Sequence, residues 1–148
     1  MAEAQSEELP LRIMPWMRGF LLLATGYNIL WGIFISQYPD SFYLWVRGIK
    51  EEAPTLVTYQ GYGVLVMAIV FLVAALHPKK YWYLPGFGAL AKLGGAAGFW
   101  LLIMELETSK KFLFHLIFND LVWVPFLIVI MVRAYQVQKG NTDGKVQP

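Results

Sequence analysis

The chain has no cysteine. That excludes disulfides, thiolate nucleophiles, iron–sulfur ligation and cysteine-based zinc sites. Histidine is nearly as scarce. His77 and His115 are the two in the chain, and the reading below puts them most of a membrane apart, so they cannot share one haem iron. Charge is thin as well, at 15 % of 148 residues against roughly 25 % in soluble domains. The net charge of +2 is too small to suggest a nucleic-acid partner. No Ser-His-Asp set, metal-ligand cluster or phosphate loop stands in the sequence, so an enzyme is not expected. No cofactor and no metal is expected either.

What remains is apolar: 57 % of the residues, gathered into four long stretches with the charges between them. A domain this small cannot bury four helices that are apolar all round, so the pattern requires lipid. The expected fold is all-α, a single membrane domain over 1–148 built as a four-transmembrane-helix bundle. Its spans are expected at about 16–36, 55–76, 84–104 and 112–132, each long enough for the ~30 Å hydrocarbon core at ~1.5 Å per residue. Segments 1–13 and 136–148 read as flexible tails. The first stretch lacks a small-residue cleavage site and follows acidic residues, so it reads as a retained helix and not a signal peptide. Between the first two spans, Ser41 to Arg47 is aromatic and apolar but far too short to span. It predicts a short interfacial helix, with Asp40 or Ser41 as cap.

An even number of spans puts both termini on one side. That side carries Arg12, Arg18, Lys79, Lys80, Arg133, Lys139 and Lys145, and the other carries Arg47, Lys50, Lys110 and Lys111. The bias favours cytoplasmic termini in a plasma (inner) membrane.

The third span is rich in small residues. Ala91, Gly94, Gly95 and Gly98 form overlapping small-xxx-small pairs, which let helix backbones approach closely in lipid. The expected use is packing against spans two and four, with a homodimer seam as the alternative.

Each span also carries a strongly polar residue: Asn28, Gln60, Lys92, and the pair Asn119 and Asp120. Rise per residue puts Asn28 about 18 Å and Lys92 about 12 Å from the cytoplasmic end, and Asp120 about 12 Å and Gln60 about 7 Å from the other. They therefore fall in one band around the bilayer midplane. A lone charge there costs roughly 2.5–3.5 kcal/mol on insertion scales, which favours a Lys92–Asp120 ion pair. Against it, both side chains lean toward their own N-termini and so away from each other. Pro125 removes a donor and predicts a kink, with the Leu121 carbonyl left for Lys92, Gln60 or water. Trp31, Trp100 and Trp123 could wall a pocket beside Asp120. His115, one turn from Asn119, could join it as a quinone or proton ligand, although an interfacial histidine is the commoner case.

The residues His77-Pro78, Trp82, Gly86, Gly88, Lys92-Leu93-Gly94, Gly98-Phe99 and Asn119-Asp120-Leu121-Val122-Trp123-Val124-Pro125-Phe126 follow a recurring pattern, H-P … W … K-x-G … G-F … N-D-x-x-W-x-P-F. The pattern resembles a loosely defined group of small bacterial four-helix membrane proteins. The resemblance covers about a third of the chain and implies the fold, with no activity attached.

Three functional expectations follow. The first is a non-enzymatic accessory, assembly or interaction subunit, paired with other membrane subunits or with itself. The second is a small ion- or proton-coupled transporter or channel-like protein using Asp120 and Lys92. The third is a quinone- or lipid-binding accessory protein.

Overall fold

The computed structural model describes residues 12–143, and among them it is helical with no strand. Helix α1 is Pro15–Gln37 and α2 is Pro39–Arg47. Helix α3 is Thr55–Leu76 and α4 is Leu84–Leu102. A last rod runs through α5 (Lys110–His115), a π-helical segment (Leu116–Leu121) and α6 (Trp123–Asp143). Proline sets many of these boundaries. Pro15, Pro39 and Pro85 lie in the first turns of their helices, and Pro54 is the N-cap of α3, positions where a missing N–H costs nothing.

Helices α1, α3 and the rod Lys110–Gly140 are long and apolar enough to cross a membrane. Helix α4 is less apolar. Lys92, Pro85 and five glycines (Gly86, Gly88, Gly94, Gly95, Gly98) dilute it. Apolar exposure does not follow that division and extends to α4. Leu23, Leu30, Tyr59, Ile69 and Leu90 are exposed in mid-helix, an arrangement that lipid tolerates and water does not.

The core lies in two apolar layers. One gathers Met17, Leu21, Ala24, Phe71, Ala74, Ala89, Trp123, Leu127 and Ile130. The other gathers Ile35, Phe42, Tyr43, Val46, Val57, Phe99, Ile103, Met104 and Phe112. Asn28, Lys92, Asn119 and Asp120 are buried at helix positions between the two. On α1, Asn28 follows Ala24 and precedes Ile35; on α4, Lys92 follows Ala89 and precedes Phe99. Helices α1 and α6 meet through aromatic rings, Phe20 against Trp123 at 5.3 Å and Phe126 at 4.9 Å, and Tyr27 against Trp123 at 5.0 Å.

Helix α2 folds over the second layer and buries Phe42, Tyr43 and Val46. Its cap departs from expectation. The N-cap is Tyr38 with no side-chain cap bond, and Asp40 instead accepts from the Ala53 N–H at 2.8 Å, tying the following loop back to the helix. Arg47 holds α2 to the α4–α5 loop. It donates to the Tyr43 hydroxyl at 3.2 Å and the Ile103 carbonyl at 3.3 Å, and pairs with Glu107 at 2.9 Å. Ser109 adds a bond to the Val46 carbonyl at 2.6 Å and caps α5 through the Phe112 N–H.

Two expectations are corrected. The segment from 136 is not a flexible tail as far as it is described, because α6 continues to Asp143 with Ala134 and Val137 buried. Residues 1–11 and 144–148 of the expected tails lie outside the described residues. Gly94, Gly95 and Gly98 are also not the packing face of α4 within the chain; Gly86 and Gly88 are, where a Cβ would run into Met131 and Phe71. A Cβ at Gly94, Gly95 or Gly98 meets no atom within 4 Å, and Gly94 and Gly95 are exposed while Ala96 is buried. The buried stripe of α4 is Pro85, Gly88, Ala89, Lys92, Ala96 and Phe99. Lys92 and Phe99 fix the helix's rotation, and Gly94 and Gly95 turn outward with it. Backbone meets backbone between α1 and α3. A Cβ on Gly61 would lie 2.5 Å from the Ser36 backbone nitrogen, and one on Gly32 would lie 2.8 Å from Leu65 and 3.1 Å from the Gly61 carbonyl.

Gly61→Ala should therefore lower stability in detergent by about 1–3 kcal/mol, since the methyl meets backbone that cannot step aside. Gly94→Ala should be neutral or slightly stabilising, because the added methyl meets open space and the unfolded chain loses freedom. Thermal melts of the two variants in one detergent check the contrast, and equal losses would show that α1 and α3 are not in close contact.

Candidate functional site

The π-helical segment exists because the last rod must accommodate Pro125. The Val122 N–H reaches back five residues to the Ile117 carbonyl at 2.9 Å, and Pro125 falls in the first turn of α6, where its missing donor is harmless. The expected kink thus takes the form of a wide turn, one of the ways a helix absorbs a break in its ladder. The wide turn leaves carbonyls to be satisfied from the side. The Trp123 indole N–H donates to the Phe118 carbonyl at 2.9 Å. The Lys92 ammonium donates to the Asn119 carbonyl at 2.6 Å. Lys92 therefore takes a carbonyl two residues before Leu121, the one the proline alone pointed to.

Lys92 also approaches Asp120, Nζ to Oδ1 at 3.6 Å, and lies 5.7 Å from the centre of the Trp123 ring. Asp120 accepts from the Asn119 amide at 3.2 Å. Both charges are 7 % exposed. The opposite lean of the two side chains is overcome by the reach of the lysine stem.

A cavity of about 340 Å³ opens beside this pair, and Asn28, Gln60, Lys92, Asn119 and Asp120 all line it. Its other walls are Gly63, Val64 and Met67 of α3 and Ala91 and Gly95 of α4. A Cβ on Gly63 or Gly95 would meet nothing within 4 Å, so both helices offer bare backbone to the gap. A shallower groove continues from it past Gln60, Gly95 and Gly98 to Leu56, Tyr59, Leu102 and Ile103. Several polar atoms here have no partner: the Asn28 Nδ2, the Gln60 Oε1 and the Asn119 Oδ1. Asn28 is 2 % exposed and Asn119 3 %, and a buried polar group left unpaired is a cost that calls for a reason.

No protein-family model, curated protein or solved structure matches the chain. The site is therefore read from its own geometry.

The expected aromatic walls are placed differently. Trp100 is 38 % exposed on the outer surface of α4 and lines no part of the cavity. Trp123 sits behind Lys92 within the first apolar layer. Trp31 and His115 belong to a neighbouring aromatic box. The His115 ring stacks on Trp31 at 5.7 Å and is edged by Phe42 at 5.3 Å, Phe99 at 5.4 Å and Trp45 at 6.4 Å. His115 is thus enclosed by protein, because α2 folds over it. Neither of its ring nitrogens has a partner. Sequence reading passed over Gly63, Val64 and Met67. The available signal was the Gly61-Tyr62-Gly63 pair in an otherwise bulky span.

A double-mutant cycle tests the core of the site. Lys92→Met and Asp120→Leu should each cost about 3–5 kcal/mol, because each leaves a buried charge alone. The double variant should recover a clear part of that loss but not all of it, since the Asn119 carbonyl still lacks its donor. Strict additivity in detergent melts would show that the two charges are independent.

Proposed function

We propose that this chain is a non-enzymatic membrane protein that crosses the bilayer four times and holds a lipid-soluble ligand in the slot between α3 and α4. One observation carries the reading: a cavity beside the buried ion pair, apolar along its flanks and lined by Asn28, Gln60, Lys92, Asn119 and Asp120, three of which hold a buried polar atom without a partner. Pockets of this kind, mostly apolar with a few placed polar groups, are where small molecules bind, and ~340 Å³ is at the lower end of their range. The size suits a ring or head group whose tail runs out along the groove into lipid.

Helix α4 serves as the fourth span in this reading. Its one charge is matched by Asp120, so the helix enters the bilayer as part of a neutral pair. The resemblance to small four-helix bacterial proteins supports the same count. The Lys/Arg bias supports cytoplasmic termini in the inner membrane. Single cysteines test this directly, as the chain has none of its own. Lys79→Cys should resist an impermeant thiol reagent in intact cells and Thr108→Cys should react. The reverse pattern would invert the topology.

The ligand reading is tested by extracting the purified protein and identifying bound lipid-soluble molecules by mass spectrometry. A compound retained in about stoichiometric amount by the wild type and lost from Gly95→Leu supports it, while equal recovery from both places the compound elsewhere. A second reading, an accessory subunit or homo-oligomer, is favoured by the bare Gly94, Gly95 and Gly98 on α4, small residues that a partner helix could approach closely. A complex much heavier than one chain in mild detergent supports that role.

A further inference from the structure

We propose that the occupant of the slot is a para-quinone ring, in its oxidised or reduced form, carrying an apolar tail. The inference rests on the slot being a lipid-accessible ligand site and adds the chemical class. Shape is the first reason. The slot is walled on one helix by Gly63 and on the other by Gly95, both facing open space, so two bare backbones border a gap suited to a flat ring.

The distribution of polar groups is the second. They fall at two stations and not at one. Lys92, Asn28, Asn119 and Asp120 form the inner station. Gln60 stands apart, at the level of Gly95 and Gly98, where the cavity and the groove meet. Three residues separate Lys92 from Gly95 along α4, a rise of about 4.5 Å, so the stations are roughly one helical turn apart with apolar wall between. A fatty alcohol or a diacylglycerol bears its polar atoms at one end and would leave one station unpaired. A ring with an oxygen at each end meets both.

Charge and hydrogen-bond character are the third. The Lys92–Asp120 pair cancels, so nothing favours an anionic head group. The lining residues hold an unpaired donor, the Asn28 Nδ2, and unpaired acceptors, the Gln60 Oε1 and Asn119 Oδ1, all three enclosed at the edge of the slot. Lys92 can offer a further N–H beyond the two it directs at Asn119 and Asp120. With these side chains turned toward the slot, carbonyl oxygens take the donors and hydroxyls the acceptors, so both forms of the ring are accommodated, with no electron transfer assigned to the protein.

The test uses the full chain in lipid nanodiscs. Decylubiquinone is titrated in and followed by quenching of tryptophan fluorescence, with 4-decylphenol, which has one ring oxygen, and dioctanoylglycerol as competitors. Saturable quenching is expected, with competitors weaker than the quinone itself. Gly95→Leu should weaken binding about ten- to hundredfold by filling the slot. Asn28→Leu and Gln60→Leu should each weaken it about two- to tenfold, the value of one hydrogen bond. Melting curves confirm that each variant is folded, and Gly63→Leu blocks the slot from the other wall should Gly95→Leu not fold. Competition by decylphenol or dioctanoylglycerol as strong as by the quinone would overturn the quinone assignment and leave the ligand site standing. Quinone binding unchanged in both glycine variants would overturn the location. No binding of any of the three amphiphiles would overturn the assignment and the site together.

Discussion

A lysine and an aspartate buried between two apolar layers constrain everything around them. Neither charge can be left alone at this depth without a cost of several kcal/mol, so α4 and the last rod must hold one rotation and one register relative to each other. That requirement sets which face of α4 is buried. With Lys92 turned inward, Ala89, Ala96 and Phe99 follow it into the core, and Gly94 and Gly95 are turned out. The half of α4 that looks from its composition like a packing seam is thus rotated by one charge so that Gly94 and Gly95 stand off from the neighbouring helices, while Gly86 and Gly88 pack against Met131 and Phe71.

The π-helical segment couples the backbone to the same pair. Its wide turn gives Lys92 a carbonyl to bond as well as a carboxylate, so the ammonium is satisfied from two directions and the Trp123 ring lies over it. The ion pair alone would fix charge, and the carbonyl adds position. Pro125 allows this without penalty because it falls where α6 begins. One residue type at one position therefore links chain geometry to the chemistry of the site.

The helices and the shared band of their polar residues were readable from the chain, because both follow from hydropathy and a constant rise per residue. Asn28, Gln60, Lys92, Asn119 and Asp120 could be set in one band by that arithmetic, and they line one cavity. Rotation about the helix axis was not readable, since an apolar span in lipid has no polar face to reveal its phase. That is why Gly94, Gly95 and Gly98 were expected at a seam within the bundle, and why Trp100 was expected at the pocket. His115 was missed for a different reason. Its burial depends on α2 folding back and being held there by Arg47 and Ser109, contacts between residues some sixty positions apart in sequence. The extension of α6 to Asp143 was hidden because its polar last turns resemble a tail by composition.

The slot and the bare face of α4 are one region, which ties the ligand and partner readings together. Gly95 belongs to both the cavity and the groove beyond it. A helix from another subunit that docked closely against Gly94 and Gly98 would lie across the groove and narrow the route from the bilayer to Lys92. A ligand whose tail occupied the groove would in turn hold such a helix away. Occupancy of the slot and association through α4 would then compete for the same surface, and each would weaken the other by the same factor at equilibrium.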